Sequence, residues 1–420
     1  MKVCIFGLGY VGSTAAACIA SQGHRVVGID ISPEKVDAIN QGRAPIVEPH
    51  VDRLMAEAHQ AGRIRATTEV GAELRDADVA IVCVGTPSAP DGSHNMSYVV
   101  QVTSQIATAL SAGHERPITI AYRSTMRPGT TQTLIAPILR TRLGAGFEDR
   151  VELIYNPEFL RETTAVEDYF HPPKIVIGTM DGEPSPVMTA LHSGIQAPLF
   201  NVPIAEAELT KFVDNTWHAV KVTFANEIGR LCQRLGVSAG SMYQIFVSDT
   251  KLNISPYYLR PGDAFGGSCL PKDVRALQYI ASDIDANTPL IDAVMRSNDA
   301  HKNFQYTRIA NGLPKGSKIL LVGLAFKDGT DDLRESPSVD LARKLLNNGY
   351  QLNIYDPWVT PEKLIGHNLG YAYTQLPALE GLLVDKAAAE EQHYDLIVAA
   401  NRKMPHLNTN GTPIVHAGVI

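Results

Sequence analysis

The clearest candidate for covalent chemistry is a cysteine that follows a glycine pair and precedes a lysine and an aspartate. The stretch contains Gly266, Gly267, Cys269, Lys272 and Asp273. Glycine lacks a Cβ, so the pair lets the backbone come close to a bulky group. A nearby cation favours the thiolate, the nucleophilic form of cysteine, and so does a helix N-terminus if a helix starts directly afterwards. We interpret Cys269 as an activated nucleophile; the alternative is a buried structural cysteine.

With a nicotinamide coenzyme nearby, such a cysteine permits more than the oxidation of an alcohol. Its thiolate can hold an aldehyde as a thiohemiacetal, from which a second hydride leaves to give a thioester that water hydrolyses. The oxyanion formed at that carbon needs fixed donors, for which Lys211 and Asn215 are suitable. Asp273, or Glu158 through one water, is suitable for positioning or deprotonating the attacking water. These residues are therefore candidate catalytic residues.

The N-terminal segment has the pattern of a dinucleotide-binding fold. A strand-length apolar run precedes Gly7, Gly9 and Gly12, and a helix-like run and a second strand lead to Asp30. Gly7 makes the tight turn, Gly9 lets a pyrophosphate approach, and Gly12 lets helix and strand pack, so that the helix N-terminus faces the phosphates. Asp30 would bind the ribose hydroxyls and repel a 2′-phosphate, which favours NAD over NADP. A chance glycine turn is the alternative.

Two further strands, at residues 79–84 and 117–121, end in polar turns that contain Thr86 and Thr125. Ligands bind at the carboxyl ends of strands in open α/β sheets, so both threonines are candidate coenzyme or substrate contacts. The alternative is that they cap the next helices. We also count Thr125 among the candidate catalytic residues.

A strand at residues 151–155 is followed by Asn156, Pro157, Glu158 and, four positions later, Glu162. Two carboxylates four positions apart lie on one face of a helix. A solvated face is the usual explanation of such a pair. Because the pair directly follows a strand end, we give a functional role the same weight as a solvated face.

Residues 205–235 contain no proline and one glycine, and Gly236 ends the run. This pattern predicts a long buried helix of about 45 Å. A polar stripe on a helix that is otherwise largely apolar needs partners, so we interpret the stripe as a binding face for a polar ligand. A solvent-facing seam is the alternative, and the length also favours a dimer interface. The stripe consists of Lys211, Asn215, His218, Val222 and Asn226.

Residues 251–262 are rich in proline and aromatic residues, which is typical of a binding loop: aromatic rings suit a base or a sugar, and arginine suits a phosphate. The last third of the chain repeats an α/β pattern without the glycine triplet. Its first strand leads into a charged loop in which Lys327 and Arg334 are candidate phosphate ligands. A salt-bridged surface loop is the alternative.

Composition limits the class of protein. A length of 420 residues predicts two or three domains, and the net charge of −7 weighs against nucleic acid as a partner. Five scattered cysteines favour a reducing compartment, here the cytoplasm. No apolar run has the length of a membrane span, and the chain begins directly with a strand pattern rather than a signal peptide. We predict no metal site.

Together the motifs resemble the nucleotide-sugar 6-dehydrogenases, the family of UDP-glucose and GDP-mannose dehydrogenases. The resemblance extends in order to about residue 356 and is carried by residues 7–12, 156–162, 211–226, 265–273 and 326–337. Residues 215–221 and 257–261 look most like the GDP-mannose branch of the family. At Asp263 the chain departs from that branch, which has an apolar residue there.

The resemblance implies an α/β protein with two Rossmann-like doubly wound domains joined by a long central helix in a helical dimerisation domain. The implied domains are residues 1–203, which bind NAD, 204–300, with the long helix and the catalytic cysteine loop, and 301–420, which bind the nucleotide sugar. The implied reaction is a four-electron oxidation at C6 with two NAD per sugar and Cys269 as nucleophile. The implied assembly is a homodimer through the central helix, or a higher oligomer.

The resemblance also implies site residues. At NAD it places the glycine turn with Tyr10, Val11, Asp30, Lys35, Thr86, Thr125, Lys272 and Arg334. At the nucleotide sugar it places Glu162, Lys211, Asn215, His218, Asn226, Tyr257, Tyr258, Arg260, Gly266 and Lys327.

Three other interpretations remain open at this point. One is a dehydrogenase of UDP-glucose or another UDP-sugar. The second is a two-electron hydroxyacid dehydrogenase, which also joins a dinucleotide domain to a helical one and needs no cysteine. The third is an NAD-binding regulatory protein without turnover.

Overall fold

The computed structural model describes residues 1–87, 94–114, 116–161, 163–256, 258, 262–267, 269–400 and 407–418. They form two compact units, Met1–His218 and Ala219–Ile420. Each unit is built on its own largely parallel β-sheet, in agreement with the two α/β patterns in the sequence.

The first unit contains an eight-stranded sheet. Its strands are β1 (Lys2–Phe6), β2 (Arg25–Ile29), β3 (Ile64–Thr67), β4 (Val79–Val82), β5 (Ile118–Tyr122), β6 (Val151–Tyr155), β7 (Ile175–Thr179) and β8 (Leu199–Pro203). The strand order is β3-β2-β1-β4-β5-β6-β7-β8, and only β6 and β7 pair antiparallel. The first six strands have the order of dinucleotide-binding folds, in which ligands bind where the order reverses, here between β1 and β4.

Helices cover both faces of this sheet. They are α1 (Tyr10–Ser21), α2 (Pro33–Asn40), α3 (Val51–Gln60), α4 (Ser97–Ser111), α5 (Ala136–Leu143), α6 (Ala165–Phe170) and α7 (Pro186–Leu191), with short helical turns at Gly71–Leu74, Thr131–Ile135 and Phe147–Asp149. Successive residues of a strand point to opposite faces, so Val3 packs in one hydrophobic core and Cys4 in the other. Burial on both faces explains why these strands are continuous apolar runs.

The second unit contains a four-stranded parallel sheet in the order β10-β9-β11-β12. Its strands are β9 (Lys318–Val322), β10 (Gln351–Tyr355), β11 (Leu396–Ala399) and β12 (Ile414–His416). Its helices are α9 (Ala239–Ser248), α10 (Leu270–Asp283), α11 (Pro289–Ala310), α12 (Pro337–Asn347), α13 (Gly366–Gln375), α14 (Leu379–Leu382) and α15 (Lys386–Glu391), with a 3₁₀ turn at Pro361–Lys363. Among the described residues, no helix combines the length and apolarity that crossing a bilayer requires.

Both units close the turn after their first strand in the same way. Gly7 and Gly323 adopt φ angles of 89° and 93°, which favour glycine. The acid that ends the neighbouring strand accepts the next backbone N–H of the turn, at 2.6 Å for Asp30 and 2.7 Å for Asp356. The sequence predicts that the last third of the chain repeats the order of elements of the first unit. The structure shows that the hydrogen bonds of the turn are repeated as well.

The long helix, α8, runs from Ile204 to Leu235, within one residue of the prediction. The prediction that it is buried is wrong for the single chain, because its buried residues are confined to the two ends. In the middle, Val213 is 55% exposed and Val222 is 61% exposed. An apolar sequence pattern does not distinguish burial within the chain from burial by another molecule.

A buried carboxylate fixes the start of α8. Glu208 is fully buried and accepts the N–H groups of Gly129 and Thr131 and the hydroxyl of Thr131. These N–H groups lie at the beginning of the helical segment that leads into α5, where negative charge is favourable. The contact ties the first turns of α8 to the end of the loop after β5.

Candidate active site

The glycine turn after β1 has the geometry that the sequence predicts. At Gly7 a Cβ would lie 3.0 Å from the backbone of Cys83, and at Gly12 it would lie 1.8 Å from the carbonyl oxygen of Gly7. Both glycines are therefore required by contacts within the chain. A Cβ at Gly9 would meet no atom within 4 Å. The space in front of Gly9, at the N-terminus of α1, is free for a ligand.

Asp30 lies in a cavity of about 270 Å³ beside this turn, together with Gly7, Gly9 and Lys35. One carboxylate oxygen accepts the Leu8 N–H and the Lys35 ammonium at 3.2 Å. The other accepts a backbone N–H two residues later at 2.9 Å. These contacts orient the carboxylate at the cavity wall. The residues present fit an NAD molecule with its pyrophosphate at Gly9 and its ribose at Asp30.

The two threonines of the strand ends come together. The Thr86 hydroxyl donates to the Thr125 carbonyl at 3.0 Å, and the Ser124 hydroxyl donates to the Val84 carbonyl at 2.6 Å. The N-cap residue of α4 is Met96, and that of the turn before α5 is Thr130, so neither Thr86 nor Thr125 caps these helices. The helix-cap alternative does not apply to them.

Glu158 and Lys211 form an ion pair at 3.0 Å. The ammonium also donates to the Glu158 carbonyl at 2.7 Å, while the other Glu158 oxygen accepts the Leu160 N–H at 2.7 Å. Both side chains are 15% exposed. The structure thus brings together a candidate base and a candidate oxyanion donor that lie 53 positions apart. Glu162 lies outside the described residues.

The start of the Glu158 loop is fixed by Arg123, which the sequence analysis did not identify. Its Nε and Nη2 donate to Asn156 Oδ1 at 3.2 and 2.8 Å, and the Asn156 amide donates to the Val176 carbonyl at 2.8 Å. Arg123 is only 7% exposed. A charged residue directly after a largely apolar strand was the available signal in the sequence.

The other members of the predicted polar stripe are exposed. Asn215 and His218 belong to the first unit, and Asn226 belongs to the second, as α8 continues. Lys211, in contrast, forms its ion pair with Glu158 of the first unit.

The nucleophile segment has the predicted helix directly after it. Cys269 is exposed and is the N-cap residue of α10, and its carbonyl accepts the Asp273 N–H at 2.9 Å. Lys272 forms an ion pair with Asp273 at 3.3 Å, and both side chains are 71% exposed.

Both glycines before the cysteine are required by close packing. A Cβ at Gly266 would lie 2.3 Å from the Glu335 carbonyl oxygen, and one at Gly267 would lie 2.8 Å from the Phe326 ring. Gly267 adopts a φ of 84° and donates its N–H to the Arg334 carbonyl at 3.1 Å. The charged loop after β9 therefore packs directly on the nucleophile segment.

Arg334 supplies a cation near the nucleophile. Its guanidinium binds Asp332 at 2.8 Å through both Nε and Nη2. The pKa of Arg334 is raised, first by this hydrogen bond to Asp332 and in smaller part by the charge of Cys269. Lys327, in the same loop, is exposed, with its ammonium 5.4 Å from the Phe326 ring centroid.

Helix α11 holds the segment before Cys269 with polar side chains that the sequence analysis missed. The buried Asn298 amide accepts the Phe265 N–H and donates to the Phe265 carbonyl, both at 2.9 Å. His301 contacts the Gly262 carbonyl at 2.7 Å. Their spacing on one helical face was the available signal.

Asp263, where the chain departs from the GDP-mannose branch, is part of the same packing. Gln305 on α11 donates to its carboxylate at 3.2 Å and to the Ala417 carbonyl at 3.1 Å. A Cβ at Gly418 would lie 2.5 Å from the Asp263 carboxylate. The acid therefore faces the C-terminal segment of its own unit.

A cavity of about 1030 Å³ borders the nucleophile segment. Its lining includes Tyr258, Phe265 and Asn298. Tyr258 is 75% exposed and adopts a φ of 64°. Tyr257 and Arg260 lie outside the described residues. No cluster of three or more potential metal ligands occurs in the part of the chain that the structure describes.

Three segments match the UDP-glucose/GDP-mannose dehydrogenase family. Residues 1–196 match its NAD binding domain, 205–300 its central domain, and 320–405 its UDP binding domain. The matches follow each other in the order of the chain and cover most of it.

Individual proteins show the same relationship. The chain is 44% identical over 404 residues to the GDP-mannose 6-dehydrogenase of Pseudomonas putida, with 96% of this chain and 91% of that protein covered. It is 35% identical over 366 residues to the UDP-glucose 6-dehydrogenase of Rhizobium meliloti, with 85% and 82% covered. The fold matches a crystal structure of a ternary complex of GDP-mannose dehydrogenase from Pseudomonas aeruginosa with a TM-score of 0.90, at 39% identity and with 99% and 96% covered.

Two glycine substitutions should separate coenzyme binding from folding. Gly9→Ala should leave the urea unfolding midpoint unchanged and weaken NAD binding about tenfold or more, because its methyl group occupies space that only the pyrophosphate needs. Gly12→Ala should destabilise the protein by about 1–3 kcal/mol, because its methyl group overlaps the Gly7 carbonyl. NAD titration and urea unfolding check both variants. Tight NAD binding by Gly9→Ala would contradict the assignment of the turn.

Thiol labelling should distinguish Cys269 from the other four cysteines. Burial raises the pKa of Cys4, Cys18 and Cys83 to about 12, so these thiols stay protonated and unreactive near neutral pH. Cys232 is buried, and Cys269 is exposed at a helix N-terminus.

Iodoacetamide should therefore modify Cys269 at least about tenfold faster than any other cysteine. Peptide mass mapping over time measures the rates, and Cys269→Ala is the control that should stay unlabelled in the native state. Equal labelling of several cysteines in the folded protein would refute the expectation.

Proposed function

The chain belongs to the UDP-glucose/GDP-mannose dehydrogenase family as an NAD-dependent nucleotide-sugar 6-dehydrogenase, and we propose that its substrate is GDP-mannose. The product is GDP-mannuronate. The observation that carries this choice is the higher identity to a GDP-mannose enzyme, 44% against 35% to a UDP-glucose enzyme. The motif around Asn215 and Trp217 supports the same branch.

The reaction removes four electrons from one primary alcohol. For R–CH₂OH the balance is one alcohol, one water and two NAD⁺, which give R–COO⁻, two NADH and three protons. When bound, NAD supplies the hydride acceptor for each of the two oxidations. The chain itself must hold the sugar between these oxidations and activate the water that ends the reaction.

Cys269 holds the sugar between the two oxidations. Its thiolate adds to the C6 aldehyde to give a thiohemiacetal, and the second oxidation converts this adduct into a thioester. Cys269 lies at the N-terminus of α10, and the loop that packs on its segment carries the cationic Arg334. The packing of Gly266 and Gly267 against the loop after β9 fixes the backbone that carries the sulfur.

Donors and bases complete the proposed catalytic set. Lys211 and Asn215 stabilise the oxyanion at C6. Glu158, whose carboxylate is held by Lys211 and the Leu160 N–H, positions or deprotonates water, and Asp273 is the second candidate for that role. Thr125 contributes from the end of β5.

The remaining site residues are proposals from the family resemblance. At the coenzyme they are Gly7, Gly9, Tyr10, Val11, Gly12, Asp30, Lys35, Thr86, Thr125, Lys272 and Arg334. At the nucleotide sugar they are Glu162, Lys211, Asn215, His218, Asn226, Tyr257, Tyr258, Arg260, Gly266 and Lys327. The carboxylate of Asp30 at the cavity wall supports NAD rather than NADP, since it repels a 2′-phosphate.

We further propose a homodimer, or a higher oligomer built from it, formed through the central helix. Exposed apolar side chains on α8 and α9 support this: Trp217 is 43% exposed, Tyr243 60% and Ile245 66%. A cytoplasmic location is proposed from the scattered, unbridged cysteines. The division into 1–203, 204–300 and 301–420 stays a prediction.

A panel of nucleotide sugars tests the substrate. GDP-mannose should give about two NADH per sugar, because both oxidations occur before release. UDP-glucose should be turned over with a kcat/KM at least about tenfold lower. The measurement is NADH absorbance at limiting sugar, with product analysis.

Other outcomes of the panel identify the alternatives. Faster turnover of a UDP-sugar than of GDP-mannose would show that the UDP-sugar is the substrate. One NADH per substrate would favour a two-electron hydroxyacid dehydrogenase, and no NADH with any sugar would favour a regulatory protein.

A further inference from the structure

Glu48 is a buried carboxylate that belongs to none of the motifs described above. It is 7% exposed, and its carboxylate accepts the Tyr10 hydroxyl at 2.7 Å, the Thr163 N–H at 2.8 Å and the Ala165 N–H at 2.9 Å. Burial alone would raise its pKa, but the hydrogen bonds from Tyr10, Ala165 and Thr163 together lower it below the usual value. Glu48 is therefore an ionised group that is satisfied by donors from two distant parts of the first unit.

The first of these parts is the coenzyme turn. Tyr10 is the first residue of α1 and directly follows Gly9, which lines the coenzyme cavity. The Tyr10 hydroxyl also contacts the Arg161 carbonyl at 3.1 Å. This hydroxyl therefore connects the start of α1 to Glu48 and to residue 161.

The second part is the segment after Glu158, which contains Glu162. Thr163 adopts a φ of 73°, a left-handed conformation that is strongly unfavourable for a β-branched residue. Such conformations persist only where the surroundings hold them, and they are concentrated at functional sites. The N–H of Thr163 is held by Glu48.

Arg161, at the start of this segment, is bound by a residue close to it in sequence. Asp168 on α6 accepts the Arg161 N–H at 2.9 Å and forms an ion pair with the Arg161 guanidinium at 2.7 Å. Asp168 and Arg161 are close in sequence, so this pair shapes the segment but does not connect it to the coenzyme turn. Glu48 and the Tyr10 hydroxyl make that connection.

We propose that Glu48 is a positioning residue that couples the coenzyme turn to the segment that follows Glu158, so that coenzyme binding stabilises the described part of this segment and tightens the binding of the nucleotide sugar. The identity of the second ligand rests on the proposed function, whereas the coupling within the first unit does not. Coupling between two sites is reciprocal, so the nucleotide sugar also tightens coenzyme binding by the same factor.

Hydrogen–deuterium exchange of the peptide at residues 161–168 tests the coupling without any sugar. Saturating NADH should slow exchange in this peptide about fivefold or more in the wild-type protein, a factor typical of coupled sites. In Tyr10→Phe, NADH should still protect the glycine turn but leave residues 161–168 unchanged. Equal protection of 161–168 in both proteins, or none in the wild type, overturns the proposal.

Further variants separate positioning from folding. Glu48→Gln removes the charge but keeps an acceptor, so it should weaken the NADH response of residues 161–168, and Glu48→Ala should weaken it further, with only the contact from Tyr10 to the Arg161 carbonyl left. Glu57→Gln is the matched control, because its exposed carboxylate pairs with Arg53 on the same helix. An unchanged NADH response in Glu48→Ala would refute the coupling role.

Steady-state kinetics give the second readout. Glu48→Gln should raise the KM for GDP-mannose about fivefold or more with kcat within about twofold of the wild-type value. A fall in kcat with unchanged KM would contradict the proposal. Absence of GDP-mannose turnover in the wild type would refute the substrate assignment and leave the exchange experiment to decide the coupling.

Discussion

The contact on which the nucleophile depends is the packing of the glycine pair against the loop after β9. The Glu335 carbonyl and the Phe326 ring lie where side chains at 266 and 267 would have to be. The Arg334 carbonyl accepts the N–H of residue 267. Since helix α10 begins directly after Cys269, these contacts fix the backbone on one side of the sulfur, and the helix fixes it on the other. The same loop carries the Arg334 cation, whose guanidinium is held by Asp332.

The rest of the second unit supports this contact. Asn298 on α11 hydrogen-bonds both the N–H and the carbonyl of Phe265, as the backbone of a neighbouring strand would. Arg275 on α10 binds Glu335 through both of its terminal nitrogens, at 3.0 and 3.1 Å, and Glu335 itself adopts a φ of 54°. An ion pair thus stabilises the strained Glu335 in the loop that packs against the two glycines. The first unit contains a comparable contact: the buried Glu48 carboxylate accepts the N–H of Thr163, which has a left-handed conformation.

Much of the fold and part of the candidate site could be predicted from the sequence, because their signals are local. The strand, glycine turn, helix and acid at residues 2–30 follow one another, and so do Gly266, Gly267 and Cys269. Glu48, Arg123 and Asn298 escaped prediction because their partners lie far away in sequence, and a local sequence signal does not identify a distant partner. The burial of α8 was predicted wrongly for a different reason: its apolar residues describe a surface that another molecule can cover, and periodicity does not identify which molecule does so.

The central claim is that one sulfur holds the half-oxidised sugar, and the most direct test is to capture that species. Wild-type protein, NAD and GDP-mannose should be mixed, quenched in acid during the first turnover, and digested for mass spectrometry. A peptide containing Cys269 with the mass of the sugar acyl adduct is the predicted result, and Cys269→Ser should give neither this adduct nor the acid product. Full acid formation with no covalent species on Cys269, or undiminished acid formation by the serine variant, would contradict the account.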